Sequence, residues 1–184
     1  METSQLVKDC IKNNRQAQHS LYQVYASNML GLCYRYTKSL HDAEDVLQDG
    51  FIKVFRNLNQ YKNQGDLGAW IRKIMVNTAI TYLKKHSRYK KEMSIEDVSL
   101  HPVANDEIEI NMHVKDIVEC IRKLPVSYQA IFNLVAVEGF SQMEIAEMLN
   151  TNVNTIRSQY SRSRAMLIKM INDENENYEL KIKN

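Results

Sequence analysis

The sequence predicts an all-α fold: two small helical domains joined by an acidic flexible linker, the second domain a helix-turn-helix. Three observations carry this. Five Gly and two Pro in 184 residues leave few places for the turns that many short strands need, while Lys, Glu, Gln, Leu and Met favour helices. Apolar residues recur at three- and four-residue steps along most of the chain. That spacing fades between residues 92 and 113, which divides a length sufficient for one ordinary domain into two small ones.

The first strong stripe is Tyr22, Tyr25, Met29, Leu32, Cys33 and Tyr36, the apolar face of an amphipathic helix. A second helix begins near Asp42, which is placed to cap it, and its core face runs Ala43, Val46, Leu47, Phe51, Val54, Phe55 and Leu58. The polar segment 57–66, with Gly65 near its end, reads as a loop, and Asp66 can cap the next helix. That third helix extends to about Lys85. Leu67, Trp70, Ile71, Ile74 and Thr78 form its packed face, while Lys73, Asn77 and Lys84 step along another.

From residue 92 to 113 acids, Pro102 and isolated aliphatics replace the stripe, as in a linker. Helical spacing returns with Val114, Ile117, Val118 and Ile121 and stops at Leu124-Pro125, where Pro suits the first turn of a new helix. Residues 172–184 lack a strong apolar stripe and read as a frayed tail. The expected domains are therefore 13–91 and 114–171, with 92–113 between them.

The net charge of +2 is a cancellation. Residues 61–91 hold eight Lys or Arg against Asp66, residues 92–119 hold eight acids against Lys115, and residues 120–171 hold six bases against three acids. Basic blocks flanking an acidic one fit polyanion-binding surfaces with a linker between them, or solvated faces alone. No run reaches the roughly 18–20 apolar residues of a membrane span, and the opening METSQLVKDCIKNN lacks a signal-peptide core. A cytoplasmic protein without membrane insertion is expected. Cys10, Cys33 and Cys120 fall in no CxxC or Cys/His pattern, so buried reduced thiols are expected, with no metal and no cofactor.

The most specific local signal is Gly139-Phe-Ser-Gln-Met-Glu-Ile-Ala-Glu-Met-Leu-Asn150 with the run to Arg164. Ser141 and Glu144 form a capping box, Ile145, Ala146 and Leu149 pack, and Asn150 tolerates a left-handed turn. A second helix from about Val153 exposes Thr155, Arg157, Ser158, Ser161 and Arg162, while Ile156, Tyr160 and Leu167 turn inward. Such a helix can enter a major groove about 12 Å wide, with hydroxyls and guanidinium groups, Arg164 included, reaching bases or phosphates.

The run from Leu124 to Ala146 resembles the C-terminal domain of the extracytoplasmic-function sigma factors of bacterial RNA polymerase. Residues 42–55, Asp-Ala-Glu-Asp-Val-Leu-Gln-Asp-Gly-Phe-Ile-Lys-Val-Phe, are similar to that family's polymerase-binding helix. Gly68-Ala-Trp-Ile-Arg-Lys-Ile-Met-Val-Asn77 is similar to its promoter-melting segment. The matches keep the family's order and cover roughly residues 13–171.

The resemblance implies a non-enzymatic factor that binds core RNA polymerase, directs it to the −35 and −10 elements of promoter DNA and promotes melting. Thr155, Arg157, Ser158, Ser161 and Arg162 would face the −35 element. The flipped base of the −10 element would sit between the 61–66 loop and the following helix, at Tyr61, Lys62, Asn63, Gln64 and Asn77, with Lys73 and Lys84 on its phosphates. Tyr61 either stacks on the base or simply packs, and Asn77 either makes buried hydrogen bonds or meets the base. The acidic strip 92–119 either occupies the polymerase's RNA path or is a solvated linker. Gln159, where the family often has a basic residue, and the loop Asn63-Gln-Gly-Asp66 depart from the pattern and leave the promoter sequence open.

Asp45, Gln48, Asp49 and Ile52 share the side of their helix away from the core, and Ile52 is apolar with no internal partner. An apolar anchor rimmed by acids and an amide suits a basic helical coiled coil of the polymerase. Free of polymerase, a monomer is expected. An anti-sigma factor is a plausible partner for the family, and no residue identifies one. A helix-turn-helix repressor or activator would leave the first half unexplained. A nuclease would need clustered ligands, and His41 beside Asp42, Glu44 and Asp45 is instead explained by a helix start.

Overall fold

A computed structural model of the chain describes residues 3–62, 65–93 and 112–182, with side chains described for 3–62, 65–86 and 114–172. The chain divides into two compact units, 1–97 and 98–184. Among the described residues the regular structure of both is helical.

The first unit is built from α1 (Thr3–Ile11), α2 (Arg15–Tyr34), α3 (Leu40–Asn57), a single 3₁₀ turn at Leu58–Gln60, and α4 (Leu67–Met93). Its helices 2, 3 and 4 pack on one another in turn. The expected stripes meet there: Met29, Leu32, Cys33, Val46, Val54, Leu58 and Ile71 are buried, and the rings of Tyr22 and Phe51 lie 4.7 Å apart. Fully burying an aliphatic side chain of this size contributes about 1.5–3 kcal/mol, so this core is what holds the helices in place.

Two sequence expectations change. The unit starts earlier than residue 13, because α1 packs on α2 and the 3₁₀ turn with Val7 and Cys10 buried. The cap of α3 is Ser39, not Asp42. Its hydroxyl accepts from the Asp42 amide at 3.0 Å and donates to the Asp42 carboxylate at 2.6 Å, so Asp42 stands three residues inside and completes the cap.

Gly50 marks the tightest approach of α3 to α4. A Cβ there would lie 2.1 Å from Sδ of the buried Met75. Gly50→Ala should therefore destabilise the unit by about 1–2 kcal/mol, since overpacking costs about 1–3 kcal/mol and helix propensity returns up to about 1. Urea denaturation checks this; an unchanged or raised midpoint would mean that Met75 finds another rotamer freely.

The second unit contains α5 (Met112–Lys123), α6 (Val126–Phe132), a π-helical turn at Asn133–Val137, α7 (Gln142–Leu149) and α8 (Val153–Ile182). Pro125 takes the cap position one residue before α6. Cys120, Ile121, Leu124, Ile131, Leu134, Ile145, Ile156 and Leu167 form the core. The tail at 172–184 does not fray at its start: α8 continues to Ile182. Its Glu and Leu residues and lack of Gly or Pro support helical backbone, although no apolar stripe marks it. The expected linker at 92–113 lies almost wholly outside the described residues.

Cys10, Cys33 and Cys120 are buried and form no disulfide. Burial pushes the Cys33 thiol up to about 12, which keeps it protonated at neutral pH. Among the described residues no helix is long and apolar enough to cross a membrane.

Candidate functional site

The motif of the second unit is assembled by its caps. Ser141 Oγ accepts from the Glu144 amide at 3.2 Å, and the Glu144 carboxylate accepts from the Ser141 amide at 2.8 Å. At the other end of α7, Asn150 adopts φ 51°, ψ 56° and turns the chain into α8. Asn152 then caps α8, its side chain accepting from the Asn154 amide at 2.8 Å. Ile145 and Ile156, both fully buried, fix α8 against α7.

That packing turns Thr155, Arg157, Ser158, Ser161 and Arg162 outward, and all five are exposed. The hydroxyl of Ser158 donates to the Thr155 carbonyl at 3.0 Å, leaving its oxygen to accept. Arg157 and Ser161 line a shallow groove of about 440 Å³ that also takes in Arg164 and Gln142. Gln142 escaped the sequence reading, where it stands only within the run Gly139–Asn150 and has no role. Its position at the first turn of the first motif helix was the available signal.

In the first unit, Lys73, Asn77 and Lys84 are exposed on one face of α4, as their spacing of four and seven residues requires. Asn77 is therefore not a buried hydrogen-bonding residue. Lys62 is exposed as well, whereas Asn63 and Gln64 lie outside the described residues. Asp66 caps α4 by accepting from the Ala69 amide at 2.8 Å.

Tyr61 differs from the rest of this set. It is 9% exposed, its ring lies 5.7 Å from that of Trp70, and its hydroxyl donates to the Gly65 carbonyl at 2.7 Å. The ring packs and the hydroxyl ties Tyr61 to Gly65. Gly68 lets this corner close, because a Cβ there would meet Tyr25 at 3.1 Å and Asp66 at 3.0 Å. Burial, with the nearby Asp66, raises the Tyr25 phenol above its ordinary range, so it remains neutral.

Tyr61→Phe is accordingly expected to cost about 0.5–1.5 kcal/mol of stability through the lost hydrogen bond. Asn77→Ala should leave stability within about 0.5 kcal/mol, as for an exposed residue. Thermal denaturation of both variants checks the assignment. A stable Tyr61→Phe beside an unstable Asn77→Ala would reverse it.

On α3, Asp45, Gln48, Asp49 and Ile52 are all exposed, Ile52 to 47%. They form one outer face opposite the buried Ala43, Val46, Leu47 and Val54. His41 Nε2 lies 3.9 Å from the Asp45 carboxylate at the start of this face.

Comparison with known proteins identifies these units. Residues 21–89 match the model of sigma-70 region 2, and residues 115–167 match that of sigma-70 region 4. The chain is 25% identical over 178 residues to the ECF RNA polymerase sigma factor SigW of Bacillus subtilis, covering 91% of this chain and 95% of that one. It is 28% identical over 170 residues to the ECF RNA polymerase sigma-E factor of Escherichia coli, covering 86% and 88%. With ECF RNA polymerase sigma factor SigE of Mycolicibacterium smegmatis it shares 30% identity over 151 residues, 80% of this chain but 58% of that longer protein. The fold is also that of the sigma factor RpoE from Bartonella quintana, solved with the anti-sigma factor NepR, at a TM-score of 0.54 and 20% identity over 84% of this chain and 96% of that one. The two region matches, in this order and spanning most of the chain, show that it belongs to the sigma-70 family, and with the ECF relatives they make it an extracytoplasmic-function sigma factor.

Proposed function

We propose that this sigma factor holds core RNA polymerase through the outer face of α3, grips −35 DNA with α8, and captures the melted −10 element along α4. As a member of its family it directs core polymerase to promoters and starts transcription there. The observation that carries the assignment of faces is that each of the three helices buries one side and exposes a chemically distinct other: acids and Ile52 on α3, cations and an amide on α4, hydroxyls and guanidinium groups on α8.

Each face suits its target. Cations on α4 and α8 neutralise phosphate, and guanidinium and hydroxyl groups on α8 can bond base edges in the major groove. On α4, the amide of Asn77 can bond an unpaired base while Lys62, Lys73 and Lys84 hold its backbone. Tyr61 packs on Trp70 and is bonded to Gly65 beside this surface, so Tyr61 acts as a positioning residue. Bond-making in RNA synthesis belongs to the polymerase, and the sigma factor supplies binding and unpairing alone. We place the protein in the cytoplasm, as a monomer when free. An anti-sigma partner enters as a proposal too, since the structurally similar RpoE was solved with one.

Sequencing the 5′ ends of transcripts made in vitro by core polymerase with this protein tests the reading. Starts preceded by a shared pair of spaced motifs are expected, and both motifs should vanish without the protein. Starts scattered without common upstream sequence would overturn it.

A further inference from the structure

Arg164 stands on the same face of α8 as Arg157, seven residues and two turns farther on, about 10 Å along the helix axis. Both line the groove beside Gln142, and no Asp or Glu is among the residues that line it. The guanidinium carbon of Arg164 lies 6.0 Å from the centroid of the Tyr160 ring, one turn earlier. That ring is half-buried, and its centroid lies 6.2 Å from that of Phe132, which packs on the cluster of Cys120, Ile121 and Leu167. A line of contacts therefore runs from the core of the second unit through two rings to one exposed guanidinium.

The spacing separates the two arginines by target. A recognition helix meets base edges with its N-terminal residues, and the major groove is about 8.5 Å deep, so a guanidinium about 10 Å beyond Arg157 reaches the rim, where the phosphates run. An unrestrained arginine loses rotamer freedom when it grips a phosphate. A ring within about 6 Å restricts that freedom beforehand and leaves the forked donors for the anion.

We propose that Tyr160 is a positioning residue for promoter binding: it holds the Arg164 guanidinium against a backbone phosphate at the edge of the −35 element. The inference rests on the reading that α8 grips −35 DNA. Tyr160 acts through the face of its ring and not through its hydroxyl, so phenylalanine can replace it and an aliphatic side chain cannot.

Titration of a −35 duplex with the full chain over a salt series tests this, using wild type, Arg157→Ala, Arg164→Ala, Tyr160→Phe, Tyr160→Leu and the double variant Tyr160→Leu with Arg164→Ala. Arg164→Ala should weaken binding about tenfold, flatten the slope of log affinity against log salt by about 0.9, and leave sequence preference unchanged. Tyr160→Leu should weaken binding about two- to fivefold, Tyr160→Phe should match wild type, and Tyr160→Leu should cost nothing further once Arg164 is gone. An equal loss from Tyr160→Leu in both backgrounds would overturn the positioning role, because a packing defect weakens binding whether or not Arg164 is present. A loss from Tyr160→Phe as large as that from Tyr160→Leu would overturn it too. An unchanged salt slope for Arg164→Ala would overturn the phosphate contact. If Arg157→Ala still weakens binding in that case, the α8 reading stands and only this inference falls; if neither arginine variant changes binding, both fall.

Discussion

Asp45→Lys combined with Gln48→Ala should abolish association with core polymerase, a loss of at least about 3 kcal/mol, or more than a hundredfold. The two side chains lie on the exposed face of α3 next to Ile52, so the substitutions replace attraction to a basic partner with repulsion at the rim of an apolar anchor. Neither side chain contributes to the core. Helicity and melting temperature should therefore match wild type, and the second unit should still bind −35 DNA. A pull-down with core polymerase, with circular dichroism on the same sample, reads both halves. Association at wild-type strength would move the docking face elsewhere.

The second large effect is expected on α8. Arg157→Ala and Arg162→Ala should each weaken −35 binding by about 1–3 kcal/mol, and how they do so reports what each touches. A lost base contact relaxes sequence preference at one position. A lost phosphate contact lowers affinity evenly across sequences and reduces the salt slope by about one. Both arginines are exposed, and only Arg157 lines the groove shared with Gln142, so Gln142→Ala should perturb the Arg157 contact more than the Arg162 contact. Titrations at two salt concentrations separate the cases, and unchanged footprints for both variants would remove α8 from the reading.

Much of the architecture was legible because amphipathic spacing reports burial directly. Of the stripe Ala43, Val46, Leu47, Phe51, Val54, Phe55 and Leu58 all but the half-buried Phe55 are buried, and the capping box and left-handed turn at Ser141, Glu144 and Asn150 are local devices that need no tertiary information. The failures have equally local causes. The α1 helix presents little more than two turns, and Val7 and Cys10 alone make too short a stripe to detect. Asp42 looked like a cap because acids favour helix starts both at the cap and in the first turn; only the backbone distinguishes Ser39 from it.

The candidate sites were legible as faces and not as roles. Spacing put Lys73, Asn77 and Lys84 together, and Arg157 with Ser161, because residues three, four or seven apart on a helix must share a side. Tyr61 sits where the chain leaves a helix, and its burial depends on Trp70 and Gly65, which no periodicity connects to it. Asp45 and Asp49 of α3 line one groove with Tyr82 and His86 of α4, roughly forty positions away, so only the packing of α3 on α4 brings them together.

Permanganate reactivity of thymines near the start site of a duplex promoter tests the central claim most directly, that one chain couples polymerase docking to promoter opening. The account predicts strong reactivity with core polymerase and this protein together, and none with either alone. It also predicts loss of reactivity for Asp45→Lys with Gln48→Ala, although the second unit of that variant still binds −35 DNA. Reactivity from the protein alone, or full reactivity from a variant that no longer binds polymerase, would contradict it.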